Sequence, residues 1–196
     1  MRLILASASP RRAELLAAAG VIFDVMPVDV DERTRLAEAP DAYVRRLAQE
    51  KSMRAMELAA LAGALTAAEP VVLGADTAVV IDGDILGKPL DDEEARTMLR
   101  RLSGRRHEVL TGVSLRSRST EMGCVETTAV FFTPLGDGEV DWYVQSGEGL
   151  DKAGSYAIQG LASRFIQRIE GSYSNVVGLP IAAVHRLMTQ MAEELI

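Results

Sequence analysis

Residues 71 to 81 read Val-Val-Leu-Gly-Ala-Asp-Thr-Ala-Val-Val-Ile. Val71–Leu73 and Ala78–Ile81 have the apolar character of a strand, yet Gly74-Ala75-Asp76-Thr77 interrupts them with polar residues a core would not choose. A carboxylate at such a place must be hydrogen-bonded, paired or metal-bound to offset its desolvation. The chain must therefore fold so that a partner reaches Asp76. Metal binding, proton transfer to Asp76 and a structural Asp accepting backbone N–H groups at a kink are the three uses open to it, with Thr77 offering a hydroxyl beside it.

Around this segment strands and helices interleave. Leu3 to Ala6 reads as a buried strand, Arg11 to Ala19 as a helix ending at Gly20, and Val21 to Val28 as a second strand. Asp29 to Ala39 is an acidic loop, and Pro40 to about Leu65 suits one amphipathic helix or two, with Gly63 and an alanine run blurring the end. Asp82-Gly83 is a hairpin signal before Ile85-Leu86. Leu90 to Leu102 is a helix whose acidic first turn and Arg100-Arg101 complement its dipole. Glu108–Arg116 and Cys124–Pro134 form an expected antiparallel pair. An acidic helix over Asp137–Ser146, a Gly-rich stretch over 147–160, a strand over Arg164–Ile169, a loop over Gly171–Pro180 and a helix over Ile181–Leu195 complete the order. This pattern predicts an α/β protein with a mixed sheet flanked by helices, and the scatter of polar segments over both halves points to a central cleft between two lobes.

Composition narrows the partners. With 196 residues, 48% hydrophobic and 25% charged, the chain has globular proportions that exclude disorder, a collagen-like chain or a coiled-coil rod. Its 21 basic and 28 acidic residues give a net charge of −7, which disfavours nucleic acid and anionic membrane. Yet Arg2 through Arg12 holds three arginines and no acid, a local positive region suited to a small anion. Cys124 is the single cysteine, so no intrachain disulfide and no cysteine-based zinc site is expected, and a reducing cytoplasm fits best. No uncharged run approaches the roughly 18 residues of a membrane span.

Several segments carry chemistry. In Ser7-Ala8-Ser9-Pro10-Arg11-Arg12 a capping serine precedes proline at the first helical position, so backbone N–H groups and the positive helix end face the preceding turn. Adjacent arginines point about 100° apart on a helix, so one can face a ligand while the other holds the loop. Glu32, with Asp29 and Asp31, offers hard oxygen ligands or simply a solvated loop. Lysine occurs only at Lys51, Lys88 and Lys152. Gly87-Lys88-Pro89 fixes an ammonium between a flexible and a rigid residue, whereas Lys51 on its helix is equally read as a snorkelling, solvent-facing side chain. Gln159 in Gly-Ser-Tyr-Ala-Ile-Gln-Gly can donate to and accept from the edge of a planar base. Gly171–Pro180 is a turn and helix cap rich in backbone donors that would shape the cleft wall. His107 and His185 are poor candidates for a catalytic base, and Cys124 is read as a small core residue.

Taken in order, Ser-Ala-Ser-Pro-Arg-Arg, Gly-Ala-Asp-Thr, Gly-Lys-Pro, Leu-Asp-Lys-Ala-Gly-Ser-Tyr-Ala-Ile-Gln-Gly and Gly-Ser-Tyr-Ser-Asn-Val-Val-Gly-Leu-Pro make a far more specific set. From Leu3 to Leu195 the chain resembles the Maf family of nucleoside triphosphate pyrophosphatases. The resemblance implies a fold similar to the inosine triphosphate pyrophosphatases, with residues 1–196 as one two-lobed domain. It implies Asp76 as proton acceptor, Arg11, Thr77 and Gln159 as selectivity positions, and Ser7, Arg12, Glu32, Lys51 and Lys88 as the phosphate and metal environment. A divalent cation, Mg²⁺ or Mn²⁺, would be held by Asp76 and Glu32. Lys88 with Gln159 and the Leu-Asp-Lys-Ala-Gly lead-in is similar to the subgroup acting on dTTP and UTP, with modified pyrimidine nucleotides and cell-division arrest as associated roles and a homodimer as the family expectation. A non-catalytic nucleotide-binding regulator of cell division is the alternative from another class.

Overall fold

A computed structural model of the chain describes residues 2–61 and 70–194. Seven strands form one mixed sheet: β1 (Arg2–Leu5), β2 (Phe23–Val25), β3 (Pro70–Ile81), β4 (Asp84–Leu86), β5 (Arg106–Arg116), β6 (Glu121–Phe132) and β7 (Ile166–Glu170). The order is β2-β1-β3-β5-β6-β7, with β4 added to one end of β3. β1 runs parallel to β2 and β3, and the remaining pairs are antiparallel. The helices are α1 (Pro10–Ala18), α2 (Pro40–Leu61), α3 (Asp92–Leu102), α4 (Asp137–Gln145), α5 (Tyr173–Val177) and α6 (Ile181–Glu194). The expected mixed α/β architecture is thus observed.

The interrupted apolar run is one continuous twelve-residue strand, and its two faces are covered differently. On one face Val71, Leu73 and Ala75 join a core with Leu16 of α1 and Val184, Leu187 and Met191 of α6. Farther along, Val79 and Ile81 join a second core with α3 and α4. Thr77 falls between the two cores, opposite Thr111 of β5. On the other face α2 covers the strand, with Ala55 and Ala59 against Val72 and with Val44 against Ala78 and Val80. Asp76 falls on this second face, because successive side chains of a strand alternate.

Several expected boundaries move. The strand expected over Val21–Val28 is only Phe23–Val25, since β1 offers just Leu3–Leu5 as partners. Ser9 stands at the α1 N-terminus but its side chain makes no capping bond. Asp91 precedes α3 and accepts from the N–H groups of Glu93 and Glu94, so that helix starts later than Leu90. The second strand of the antiparallel pair begins at Glu121 rather than Cys124 and ends at Phe132, in register with β5 through Arg116↔Glu121. Residues Leu161–Phe165 form a 3-10 turn, delaying the last strand to Ile166, and the expected loop at Gly171–Pro180 contains α5, capped by the Ser172 hydroxyl. One helix, not two, follows Pro40. Its expected extension to Leu65 with Gly63, and the Leu195 end of the last helix, lie outside the described residues.

Candidate active site

A gap in strand pairing makes the cleft. One edge of β3 bonds β5 from Val72 to Val80, while the other meets β1 only over residues 70–73 and β4 only over 79–81. Residues 74–78 therefore have a strand partner on one side alone. A cavity of about 820 Å³ opens there, within the range of small-molecule sites. Ser7, Arg11, Arg12, Glu32, Lys51, Asp76, Thr77, Lys88 and Gln159 all line it, so every expected site position is brought to one place.

Close approach of α2 delivers Lys51. A Cβ at Gly74 would lie 2.2 Å from the Ala48 carbonyl oxygen, and one at Gly112 would lie 2.2 Å from that of Val44. Only glycine lets the helix backbone press this near. Gly112 is the cross-strand neighbour of Asp76, so the contact sets the helix height beside the carboxylate. Lys51 lies on the buried stripe of α2 formed by Val44, Leu47, Ala48, Ser52, Ala55 and Ala59. Its Nζ donates to Asp76 Oδ1 at 2.6 Å and to Glu32 Oε1 at 2.6 Å. The solvent-facing reading of Lys51 does not hold, for its side chain is only 10% exposed.

The two carboxylates differ. Asp76 is buried, whereas half of the Glu32 side chain meets solvent. Burial acts upward on the Glu32 pKa but is outweighed by the hydrogen bond and charge of Lys51, with Lys88 and Arg12 adding, so its carboxyl stays below the ordinary value. Glu32 Oε2 and Asp76 Oδ2 accept no hydrogen bond from the described residues. A pair of hard oxygens beside a phosphate suits Mg²⁺, which takes one or two carboxylates and completes its shell with substrate oxygens and water. Among the described residues no group of three or more His, Cys, Asp or Glu forms an all-protein metal cage.

The two arginines divide as helix geometry allows. Arg12 is buried, and its guanidinium donates to the Gly178 carbonyl at 2.8 Å, the Ala75 carbonyl at 2.8 Å, the Ser7 hydroxyl at 3.2 Å and the Thr77 hydroxyl at 3.0 Å. It ties α1, the free edge of β3 and the α5 turn together. Burial lowers its pKa, opposed by the charges of Asp76 and Glu32. The Ser7 hydroxyl accepts from Ser9 N–H as well, and Thr77 shares a 3.0 Å hydrogen bond with Thr111. Ser7, Arg12 and Thr77 are thus occupied by protein partners. Arg11, half-buried at the cleft, and Lys88 and Gln159, both exposed there, carry no side-chain hydrogen bond to described residues and remain available to a ligand.

Residues 151–153 and 156–159 form a rim of the same cavity. Tyr156 anchors them through its hydroxyl, 2.8 Å from His107 Nε2, with both rings edge-on to Phe132. His107 is pushed down to about 4 by burial, with Arg106 adding. It is a neutral strut outside the cavity lining. Cys124 is half-buried on β6 and also lies away from the cavity.

Sequence reasoning passed over several residues that build the site, Tyr43 in the cavity wall and Asn175 and Gly112 behind it. Tyr43 donates from its hydroxyl to the Glu32 carbonyl at 2.9 Å, and burial followed by the charges of Asp76 and Glu32 pushes its pKa up to about 12. Asn175 donates to the Val109 carbonyl at 2.9 Å and to the Thr128 hydroxyl at 3.0 Å, locking α5 over the seam between the cores. Gly112, in the apolar run of β5, carried a signal for close packing that its neighbours obscured.

The family model described as Maf-like protein matches residues 2–191. A dTTP/UTP pyrophosphatase of Anaeromyxobacter dehalogenans (strain 2CP-C) is 53% identical over 191 residues, spanning 95% of this chain and 92% of that protein. Proteins of the same name from Vibrio cholerae serotype O1 and Symbiobacterium thermophilum are 50% and 49% identical, over 95% and 96% of this chain and 96% and 93% of their own lengths. The chain belongs to the family of Maf-like proteins.

Proposed function

We propose that this cleft hydrolyses dTTP and UTP to the nucleoside monophosphate and pyrophosphate. The observation that carries the reading is the Glu32–Lys51–Asp76 cluster on the unpaired edge of β3, with Arg11 and Lys88 lining the same cavity. Relatives of about half identity over nearly the whole chain bear the name of that activity. A water oxygen attacks the α-phosphorus, the bond from that phosphorus to the bridging oxygen breaks, and the pyrophosphate leaves. Asp76 takes the proton of the attacking water through Oδ2, while Lys51 holds Oδ1 and so fixes the carboxylate plane. Arg11, Lys88 and the uncapped N–H groups at the start of α1 offset charge on the phosphates.

Glu32 and Asp76 would hold Mg²⁺ or Mn²⁺, which supplies a positive charge against the triphosphate. A metal-bound Asp76 is the poorer base, so its two roles compete. Gln159 pairs with the pyrimidine edge, and Ser7, Arg12 and Thr77 keep the phosphate end in shape. In this reading residues 1–196 act as one domain in the cytoplasm, as a homodimer, with nucleoside triphosphate rather than nucleic acid as partner. No described helix is long and apolar enough to cross a membrane.

Asp76→Asn keeps the side-chain size and removes the proton acceptor. Pyrophosphate release from dTTP with Mg²⁺ should fall by about 10²-fold or more. Near-normal release would sink the assignment.

A further inference from the structure

Glu32 sits in a stretch without regular structure, from Met26 to Ala39, between β2 and α2. Connections of this length in a compact fold are uncommon and must be held by something other than a backbone ladder. Here three successive carbonyls are captured by side chains of α2. Arg46 donates to those of Asp31, at 3.5 Å, and Arg33, at 3.2 Å, while Tyr43 takes that of Glu32 between them. Tyr43 and Arg46 are three residues apart, on one face of the helix.

Arg46 is itself fixed. Its Nε and Nη2 meet the two oxygens of Glu38 at 2.6 and 2.7 Å, a bidentate pair, and Nη1 reaches Glu50 at 3.3 Å. The Arg46 and Glu38 side chains are only 12% and 8% exposed, unlike the solvated Arg33–Asp31 pair of the same loop. The hydrogen bond from Arg46 pulls Glu38 down to about 2, and Glu38 also accepts from the Arg35 N–H at 3.0 Å, closing the loop on itself. A planar guanidinium can satisfy this forked carboxylate and two carbonyls together, which an ammonium cannot.

We infer that Arg46, gripped by Glu38, is a positioning residue that holds the 29–38 loop so that the Glu32 carboxylate stays beside Lys51 and Asp76. The inference rests on the proposed role of Glu32 in the pyrophosphatase site. Arg46 itself lies outside the cavity lining and acts through the backbone on either side of Glu32.

The test combines Arg46→Met, Arg46→Lys and Glu38→Gln with Glu32→Gln, measuring pyrophosphate release from dTTP and amide hydrogen exchange of the free protein. Arg46→Met should lower kcat about tenfold in the native background and less than twofold beside Glu32→Gln, because contributions acting through one group do not add. Exchange should quicken at least tenfold over residues 29–38 and stay unchanged in β3 and β5. Arg46→Lys should recover only part of the loss, and Glu38→Gln should show the same pattern more weakly, so the cycle stands even where the Met variant folds poorly. Equal losses in both backgrounds, or unchanged exchange over 29–38, would overturn the positioning role alone while an impaired Glu32→Gln kept the site reading. Full activity of Glu32→Gln would overturn both.

Discussion

The two ends of the cleft are built on opposite principles. At the carboxylate end, Lys51, Asp76, Arg12 and Ser7 are buried, and each is held by at least one hydrogen bond to another group of the site, leaving Asp76 Oδ2 open. At the rim, Gln159 is exposed and its side chain makes no hydrogen bond to described residues, and the rim segment is fastened beneath by the Tyr156–His107 contact. In the proposed function the difference is a division of labour. Chemistry at phosphorus needs charges held in place before substrate arrives, because reorganising them during the reaction raises the barrier. Base recognition needs only a few unpaired donors and acceptors that the ligand itself can order.

The largest effect is expected from removing the cation of the buried end. Lys51→Met leaves Asp76 buried beside Glu32 with no ammonium between them, which should cost about 3 kcal/mol of stability in urea unfolding. Pyrophosphate release should fall by about 10²-fold at the same time. A variant with native stability would show that the buried end is not organised around this pair.

Next comes a pH effect confined to the support of the rim. Folded His107 is pushed down to about 4 against an ordinary 6.5, so between those values the unfolded chain binds the additional proton and stability falls as pH drops. The contribution is fully present above about pH 6.5 and its loss by pH 4 amounts to about 3 kcal/mol. Urea unfolding of native protein and His107→Gln at pH 7 and pH 4 isolates it, since the variant lacks this dependence. Identical slopes for the two proteins would remove His107 as the acid-sensitive strut.

The smallest effect belongs to the exposed rim. Gln159→Ala should leave the melting temperature unchanged and lower kcat/KM for dTTP by about tenfold, the worth of one lost hydrogen bond to the base. Losses of equal size with purine triphosphates would mean that Gln159 does not read the base, and would blur the division between the two ends.

Much of this arrangement was legible in the chain. The interleaving of apolar runs with capped, charge-ordered helices indicated a mixed α/β sheet, and the Asp82-Gly83 signal indicated the hairpin that became β3–β4. The ordered motifs held seven of the nine positions that share one cavity, and the family resemblance they carry implied the other two, Glu32 and Lys51. Less legible was what each position does in the fold. Arg11 and Arg12 are identical in type and adjacent, and only their phase on α1 makes one a brace and the other a free donor. Arg46 and Tyr43 gave no sign of their task, because what they hold in place beside Glu32 is backbone carbonyls of a loop, which carry no signature in residue type.

The sequence by itself determined that Asp76 needed a partner, since an acid inside an apolar strand has no other way to offset its desolvation. It determined the alternation of elements, because hydrophobic period and capping chemistry are local. Only the tertiary structure decided that the partner is Lys51 and that the cleft is the place where β3 lacks a second neighbour. Both depend on how closely α2 approaches Gly74 and Gly112 and on where short strands stop pairing, which are distances between segments far apart in the chain.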